Sequence, residues 1–487
     1  MDFFSLTFFK FSSVVLITFF ATPARFRWVV LLAASIYFYA TFNVAYLAVL
    51  TFCTLAAYFA ALAMERWPEP KNKKRFLILT LVANLGMLGF FKYIDFLDAS
   101  LGQLLHAGGI TYSTHALNIL APAGISFYVF QIVSYLVDVY RGKAPAEKHA
   151  GIFALYVSFF PKILSGPIER AGSLISQLRQ ESRFDIERIT NGLKLICWGL
   201  FKKLVIADRL AAFVNVVYAD PEAHTGVSLT LAVVFYSFQI YCDFSGYTDI
   251  AIGLAQMFGF RLADNFDRPY TATSVGDFWR RWHMSLSFWL RDYLYIPLGG
   301  SRVAPYRHYL NYLIVFFICG LWHGAAWTFV VWGLVHGLYL IAGKASAGPR
   351  AQWASFFGLD RVPALHRALK ILVTFSLVSL AWVFFRARTL NDAFYVLTHL
   401  HAGWNGLLDA KTLGEMIFLT GSRLDMIIVL ACLAFFSLVH GMEKHANMRQ
   451  MFAGKPLWLR FAFYYLMAGG LLVLSLPNTE ISIYFQF

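Results

Sequence analysis

The sequence predicts an all-α polytopic membrane protein with about 11–13 membrane-spanning helices plus re-entrant or interfacial ones. Three observations predict it. First, 59% of the 487 residues are hydrophobic and only 14% are charged, against about 25% charged in an ordinary soluble domain. A soluble chain this long needs a charged skin, and there is too little charge to make one. Second, apolar runs of the length that crosses a bilayer, about 20 residues, recur along the chain. Third, these runs lack the roughly 10-residue alternation of barrel strands, and a lone strand cannot satisfy its backbone in lipid. The 49 Phe, 25 Tyr and 13 Trp carry far too much apolar surface for disorder.

The candidate spans are residues 5–21, 28–43, 44–63, 76–97, 119–139, 227–242, 309–322, 325–343, 370–386, 424–441 and 461–477. Residues 190–214 are a further apolar stretch, interrupted by Lys194, Lys202 and Lys203. The first run starts after Met1-Asp2 with no basic region before it, so it reads as a span and not as a cleaved signal. Loop charge then sets the orientation, because cytoplasmic loops collect Lys and Arg. The loop Glu65–Arg75 holds five basic residues and is placed in the cytoplasm, with Arg25, Arg27 and the loop Arg141–Lys148 on the same side. Residues 101–118 contain no Lys or Arg and fall outside. Lys444, Arg449, Lys455 and Arg460 mark another cytoplasmic loop. Both termini are therefore expected on the outer, non-cytoplasmic side. The net charge of +14 reads first as this topology. Nucleic-acid binding would need a basic stripe on a soluble domain, and there is none.

The five cysteines, Cys53, Cys197, Cys242, Cys319 and Cys432, lie in or beside apolar runs without a CxxC pair. They read as reduced, buried small hydrophobes. No linker or repeat divides the chain. The stretch 150–310 differs from the rest. Pro161, Pro167, Pro269 and Pro297 interrupt it, and it holds Asp243, Asp249, Arg261, Asp264 and Arg268 at membrane-like depth. Irregular backbone survives there only against protein or a water-filled cavity, so the functional cavity is expected here and in the spans that follow.

The densest chemistry lies in residues 278–293, Phe-Trp-Arg-Arg-Trp-His-Met-Ser-Leu-Ser-Phe-Trp-Leu-Arg-Asp-Tyr. On one helix at about 100° per residue, Arg280, His283, Ser287 and Arg291 share an arc of about 80°. Phe278, Trp282, Leu286, Trp289 and Tyr293 occupy the opposite side. An interfacial helix on anionic headgroups wants the same pattern. It does not require a histidine on the cationic stripe, nor the stop at Pro297-Leu298-Gly299-Gly300.

A second segment, Cys319–Trp327, places His323 inside a long apolar run between small residues and Trp322. An ionisable group at that depth is costly and points to function; neutral imidazole is the cheapest of them and can act as a base near neutral pH. The competing reading is a Gly320/Gly324 packing pair with His323 bonded to a neighbour. His336 follows thirteen residues later, a rotation of about 220° on one straight helix. The two histidines could not then face one cavity, and His336 reads as structural. His440 reads as a packing histidine.

Several chemistries find no support. No HExxH or Cys cluster offers a metal site, no GxSxG elbow a serine nucleophile, and no P-loop or GxGxxG after a strand a nucleotide cradle. No bound cofactor is expected.

With these segments in view, the chain resembles the membrane-bound O-acyltransferase family, and within it the bacterial branch that O-acetylates exported polysaccharides. The matching strings are Ser134–Gly142, Phe160–Ile168, Tyr241–Asp249, Phe278–Gly300, Gly320–Trp327 and Trp382–Ala387. They span about 130–390 of a single integral acyltransferase domain, 1–487. The teichoic acid D-alanyl transferases of the same family share the string Arg281–Ser287; the continuation Leu294–Ser301 is similar to the polysaccharide branch. The resemblance implies His323 as the catalytic base and His283 as a second catalytic position. Arg280, Trp282, Ser287, Arg291, Asp292 and Trp322 would contact substrate. It also implies a central tunnel joining a cytoplasmic acyl thioester, acetyl-CoA, to an acceptor reached from the other side. The acceptor polymer would be an exported polysaccharide such as alginate, the location the bacterial inner membrane, and the partner a periplasmic SGNH-type protein. D-alanyl transfer from a carrier protein and transport of the polymer or its donor are the alternatives.

Overall fold

The computed structural model describes the chain apart from residues 2, 115–116, 118, 225, 405–413, 415–416, 420–422, 444–455 and 476–487. Lys444, Arg449, Lys455 and the tail from 476, which bear on the orientation, lie outside the described residues. The described chain is all-α, with no strand. Over its described residues each of the eleven expected spans falls on a helix, and among the described residues seven helices are long and apolar enough to cross a membrane. The chain is an all-α polytopic membrane protein.

It packs into two compact units, Met1–Ile196 with Ile250–Asp264 and Cys197–Asp249 with Asn265–Phe487. The first contains the helices Leu6–Ala21, Arg27–Ala40, Val44–Arg66, Pro70–Ala107 and Ile125–Tyr140. Its core is aromatic: Phe3, Phe8 and Phe38 are fully buried, and Phe160 packs on Phe8 and Phe38. The Pro70–Ala107 helix starts with Pro at its first turn and runs 38 residues. At 1.5 Å per residue this is about 57 Å, longer than the roughly 30 Å hydrocarbon layer. The outside loop expected over 101–118 therefore begins as helix. The span expected at 119–139 starts only at Ile125, because Gly124 turns the chain in the left-handed region at φ 73°.

The second unit is organised by the helix Val227–Phe258, most of which lies in it. This helix is the best covered of the spans, with 78% of its apolar window buried in protein. The sequence leads one to expect broken backbone in 150–310 around an apolar span at 227–242. The structure breaks it at 159–170 and 259–274, yet carries this 32-residue helix through the middle. Asp243 and Asp249 ride on it without interrupting it, because each has a lysine partner. Beyond it, Pro305–His323 and Trp327–Ala345 form an antiparallel hairpin, and Pro363–Arg386 packs against the second of these.

Candidate active site

Residues 278–293 are not one helix. The chain forms Val275–Trp279, a turn through Arg280–His283, Met284–Leu290 and a π-helical turn Arg291–Tyr295. The shared stripe of Arg280, His283, Ser287 and Arg291 is thereby dismantled. The reason is burial: one regular helix would hold Arg280 and His283 on one face, whereas the break sends His283 to full burial and leaves the Arg280 side chain 71% exposed.

His283 sits at the hinge of that break, at φ 42° and ψ 55°. A left-handed conformation at a non-glycine residue costs about 1–3 kcal/mol and persists only where surrounding bonds impose it. They do so from Asn265–Asp267. The Met284 N–H donates to the Asn265 carbonyl at 2.9 Å and the Ser285 N–H to Asn265 Oδ1 at 3.2 Å. On the other side the Asp267 N–H donates to the Arg281 carbonyl at 2.9 Å. Full burial among aromatic rings disfavours the charged imidazole at His283.

His323 is the last residue of its helix. Gly324 and Ala326 then adopt extended backbone, and the chain reverses into Trp327–Ala345. Glycines let the two helices approach closely: a Cβ on Gly320 would stand 2.3 Å from the Phe329 carbonyl oxygen, and one on Gly333 2.1 Å from that of Phe316. The packing role foreseen for Gly320 is thus real, and it coexists with the placement of His323. That ring is 3% exposed, with centroids of Trp322, Trp332 and Phe385 at 4.9, 5.0 and 5.2 Å. The His283 ring lies 6.4 Å away and packs edge-on to Phe244 at 4.7 Å and Trp322 at 5.7 Å.

The structure therefore brings His283, His323 and Trp322 together. Trp282 belongs to the adjoining stack, 5.0 Å from Trp382, which lies in turn 5.5 Å from Trp332. The Ser287 hydroxyl donates to the Trp282 carbonyl at 3.2 Å. Arg280 and Arg291 lie on the exposed side, Arg280 reaching Asp277 at 3.5 Å and Arg291 pairing with Asp292 at 2.8 Å. Trp332, Phe385, Trp382 and Phe244 were not singled out from sequence. Three of them fall in or beside quoted strings, but an aromatic in an apolar run carries no signal that separates a site wall from a core. The Trp332 indole N–H is buried without a hydrogen-bond acceptor among the described residues, a costly state that calls for an explanation.

His336 is also fully buried, and accepts the Trp279 Nε1–H on Nδ1 at 3.2 Å. A rotation of about 220° between the two histidines holds only on one straight helix. The break at 324–326 makes two, so His323 and His336 reach the same indole, Trp332, from different helices at 5.0 and 5.1 Å. His440 bonds the Tyr241 hydroxyl at 2.8 Å as a packing histidine.

Asp243 and Asp249, the two acids on the Val227–Phe258 helix, are ion-paired. Lys203 lies 2.7 Å from Asp208 and 2.8 Å from Asp243, all three side chains 2% exposed. Lys202 lies 2.8 Å from Asp249 and donates to Ser245 Oγ at 2.9 Å. Both lysines sit on a π-helical turn, Phe201–Ala207. Gly246 lets the chain at Gly199 approach closely. The cluster fixes the part of the helix that presents Phe244 to His283.

Fold and site together define a class: a polytopic membrane protein whose buried imidazoles sit among indoles at helix breaks. The chain matches the MBOAT, membrane-bound O-acyltransferase family over residues 31–385. It belongs to that family and is a membrane O-acyltransferase. It is 39% identical over 388 residues to a probable alginate O-acetylase of Azotobacter vinelandii, covering 79% of this chain and 74% of the relative. It is 38% identical over 408 residues to a peptidoglycan O-acetyltransferase of Helicobacter pylori, covering 78% and 74%. A teichoic acid D-alanyltransferase of Streptococcus thermophilus is 29% identical over 290 residues, covering 56% and 69%.

Proposed function

We propose that the protein moves an acetyl group from a cytoplasmic thioester, acetyl-CoA, across the bacterial inner membrane for O-acetylation of an exported polysaccharide such as alginate, with His323 as general base. The observation that carries this reading is the pair of buried imidazoles, 6.4 Å apart, with His323 at the end of its helix. His323 takes the acceptor's O–H proton as that oxygen attacks the thioester carbonyl. The C–S bond breaks, and the imidazolium returns the proton to the leaving thiolate, giving an ester and a free thiol. Charge developing on His323 meets the C-terminal end of the Pro305–His323 helix, an arrangement worth up to about 2 kcal/mol when partly buried. Neutral His283 and the Trp332 N–H are the donors for the oxyanion. Arg280 and Arg291, the latter oriented by its pair with Asp292, receive the phosphates of the donor.

Relatives named as acetylases match more of this chain, and at higher identity, than those named as D-alanyltransferases, which favours acetyl. In this reading both termini face the periplasm, where an SGNH-type partner completes delivery to the sugar. The test is His323→Ala in cells: acetyl on the polymer should vanish while the protein remains in the membrane, and full acetyl content would sink the assignment. Purified protein given acetyl-CoA or a D-alanyl carrier protein separates the two donors.

A further inference from the structure

The first unit contains a cavity of about 360 Å³ that the transfer reaction does not use. It opens where the chain turns between the apolar helices Leu6–Ala21 and Arg27–Ala40. Its floor is apolar and buried, formed by Phe19, Leu31, Leu155 and Phe260. Its rim is cationic and hydrogen-bonding, with Arg25, Arg27, Arg179 and His149.

The rim groups differ in how far they are already engaged. Arg179 is held by Glu147, and Glu181 also lines the rim. Arg27 donates to the carbonyls of Thr22, Phe20 and Ser182 and lies over the rings of Phe19 and Phe20, and no carboxylate pairs with it among the described residues. Arg25 rests over Phe26 at 4.7 Å and likewise has no carboxylate partner among the described residues. His149 accepts the Ile152 N–H on Nδ1 at 3.2 Å, so its proton is on Nε2 and available as a donor. Two arginines without acid partners and an imidazole N–H stand over an apolar floor. This suits a phosphate whose remaining body is greasy.

We propose that this cavity is a binding site for the phosphate of an anionic phospholipid, with the headgroup on Arg25, Arg27 and His149 and the glycerol end of the chains on the Phe19–Phe260 floor. A turn between two apolar helices that the hydropathy pattern reads as spans falls at the membrane edge in that reading, which favours a lipid over a soluble phosphate as the source. Basic pockets between membrane helices recognise anionic headgroups, at about 1 kcal/mol per basic charge near the surface. Arg25→Glu changes two charge units and should weaken binding about thirtyfold. Arg25 is exposed and remote in sequence from the histidine cluster, so this variant is a clean charge probe. Ala24→Trp keeps the charge and fills the opening.

The experiment is native mass spectrometry of the full-length protein released from nanodiscs of phosphatidylcholine doped with phosphatidylglycerol. The expected result is preferential retention of phosphatidylglycerol, lost in both variants, and no displacement by inorganic phosphate or free coenzyme A. Equal retention of both lipids, or undiminished phosphatidylglycerol on both variants, would overturn the site. Displacement by soluble phosphate or coenzyme A would overturn the lipid as its source. Circular dichroism and acetyl transfer by the same samples keep a misfolded variant from counting as a loss.

Discussion

His323 and His336 flank one indole at nearly the same distance, 5.0 and 5.1 Å from Trp332, yet they are built differently. His336 is in the middle of a regular helix, and the Trp279 N–H already occupies its Nδ1. His323 ends its helix at a chain reversal, where the next three residues are small. His283 resembles His323 in this respect, since it too sits at a break, on a strained backbone. A buried imidazole in a continuous helix serves packing through one fixed bond. An imidazole at a helix end can be aimed independently of its neighbours, and there the backbone itself is irregular, as strained sites often are.

The sharpest way to break the comparison is to remove each ring. His323→Ala should lower acetyl transfer by about 10²–10⁴, the usual weight of a general base, with membrane abundance unchanged on immunoblots. His336→Gln, whose amide oxygen can still accept from Trp279, should keep most of the rate. Equal losses from the two would erase the distinction. A stability counterpart comes from the lysine cluster. Lys203→Met leaves Asp208 and Asp243 without their ammonium, which costs about 3–5 kcal/mol when such a pair is buried. Tryptophan fluorescence in detergent should show early unfolding, partly recovered in Lys203→Met with Asp243→Asn.

The helices were legible because hydropathy and bilayer thickness constrain them strongly. Over its described residues every expected span falls on a helix, and the residues His283, His323 and Trp322 named from the sequence do meet. What the sequence hid was where helices break. Residues 278–293 hold no Pro or Gly, so nothing local announces the turn at Arg280–His283; Asn265, thirteen or more positions upstream, imposes it through long-range hydrogen bonds. The break after His323 was written in Gly324-Ala325-Ala326, but small residues equally fit a packed helix, and only the close approach of Gly320 to Phe329 tells the two apart. Asp243 and Asp249 looked like site charges because their lysine partners lie some forty residues away.

A smaller effect tests whether the strain at His283 is separable from its ring. His283→Gly removes the imidazole but suits φ 42°, whereas His283→Ala removes it and keeps the strain. Both should slow transfer. Both lose the packing of the buried ring, and the glycine variant should be the more stable of the two by about 1 kcal/mol, read as a difference in thermal midpoint between them. Identical midpoints would mean that the left-handed backbone carries no strain worth relieving.

The smallest expected effect decides what the exposed arginines do. Arg291 is 54% exposed and pairs with the adjacent Asp292, and such surface pairs contribute about 0–1 kcal/mol. Arg291→Ala should therefore leave the thermal midpoint where it is. If Arg291 receives a donor phosphate, the contact is made equally in ground and transition states. The KM for acetyl-CoA should then rise roughly fivefold at unchanged kcat, and less in high salt because the group is exposed to screening. The same reasoning applies to Arg280, whose bond to Asp277 is longer. An unchanged KM at low salt would instead assign both arginines to the headgroup layer, the alternative that the sequence pattern leaves open. The imidazoles at the helix breaks would then stand as the chemical centre without a cationic stripe beside them.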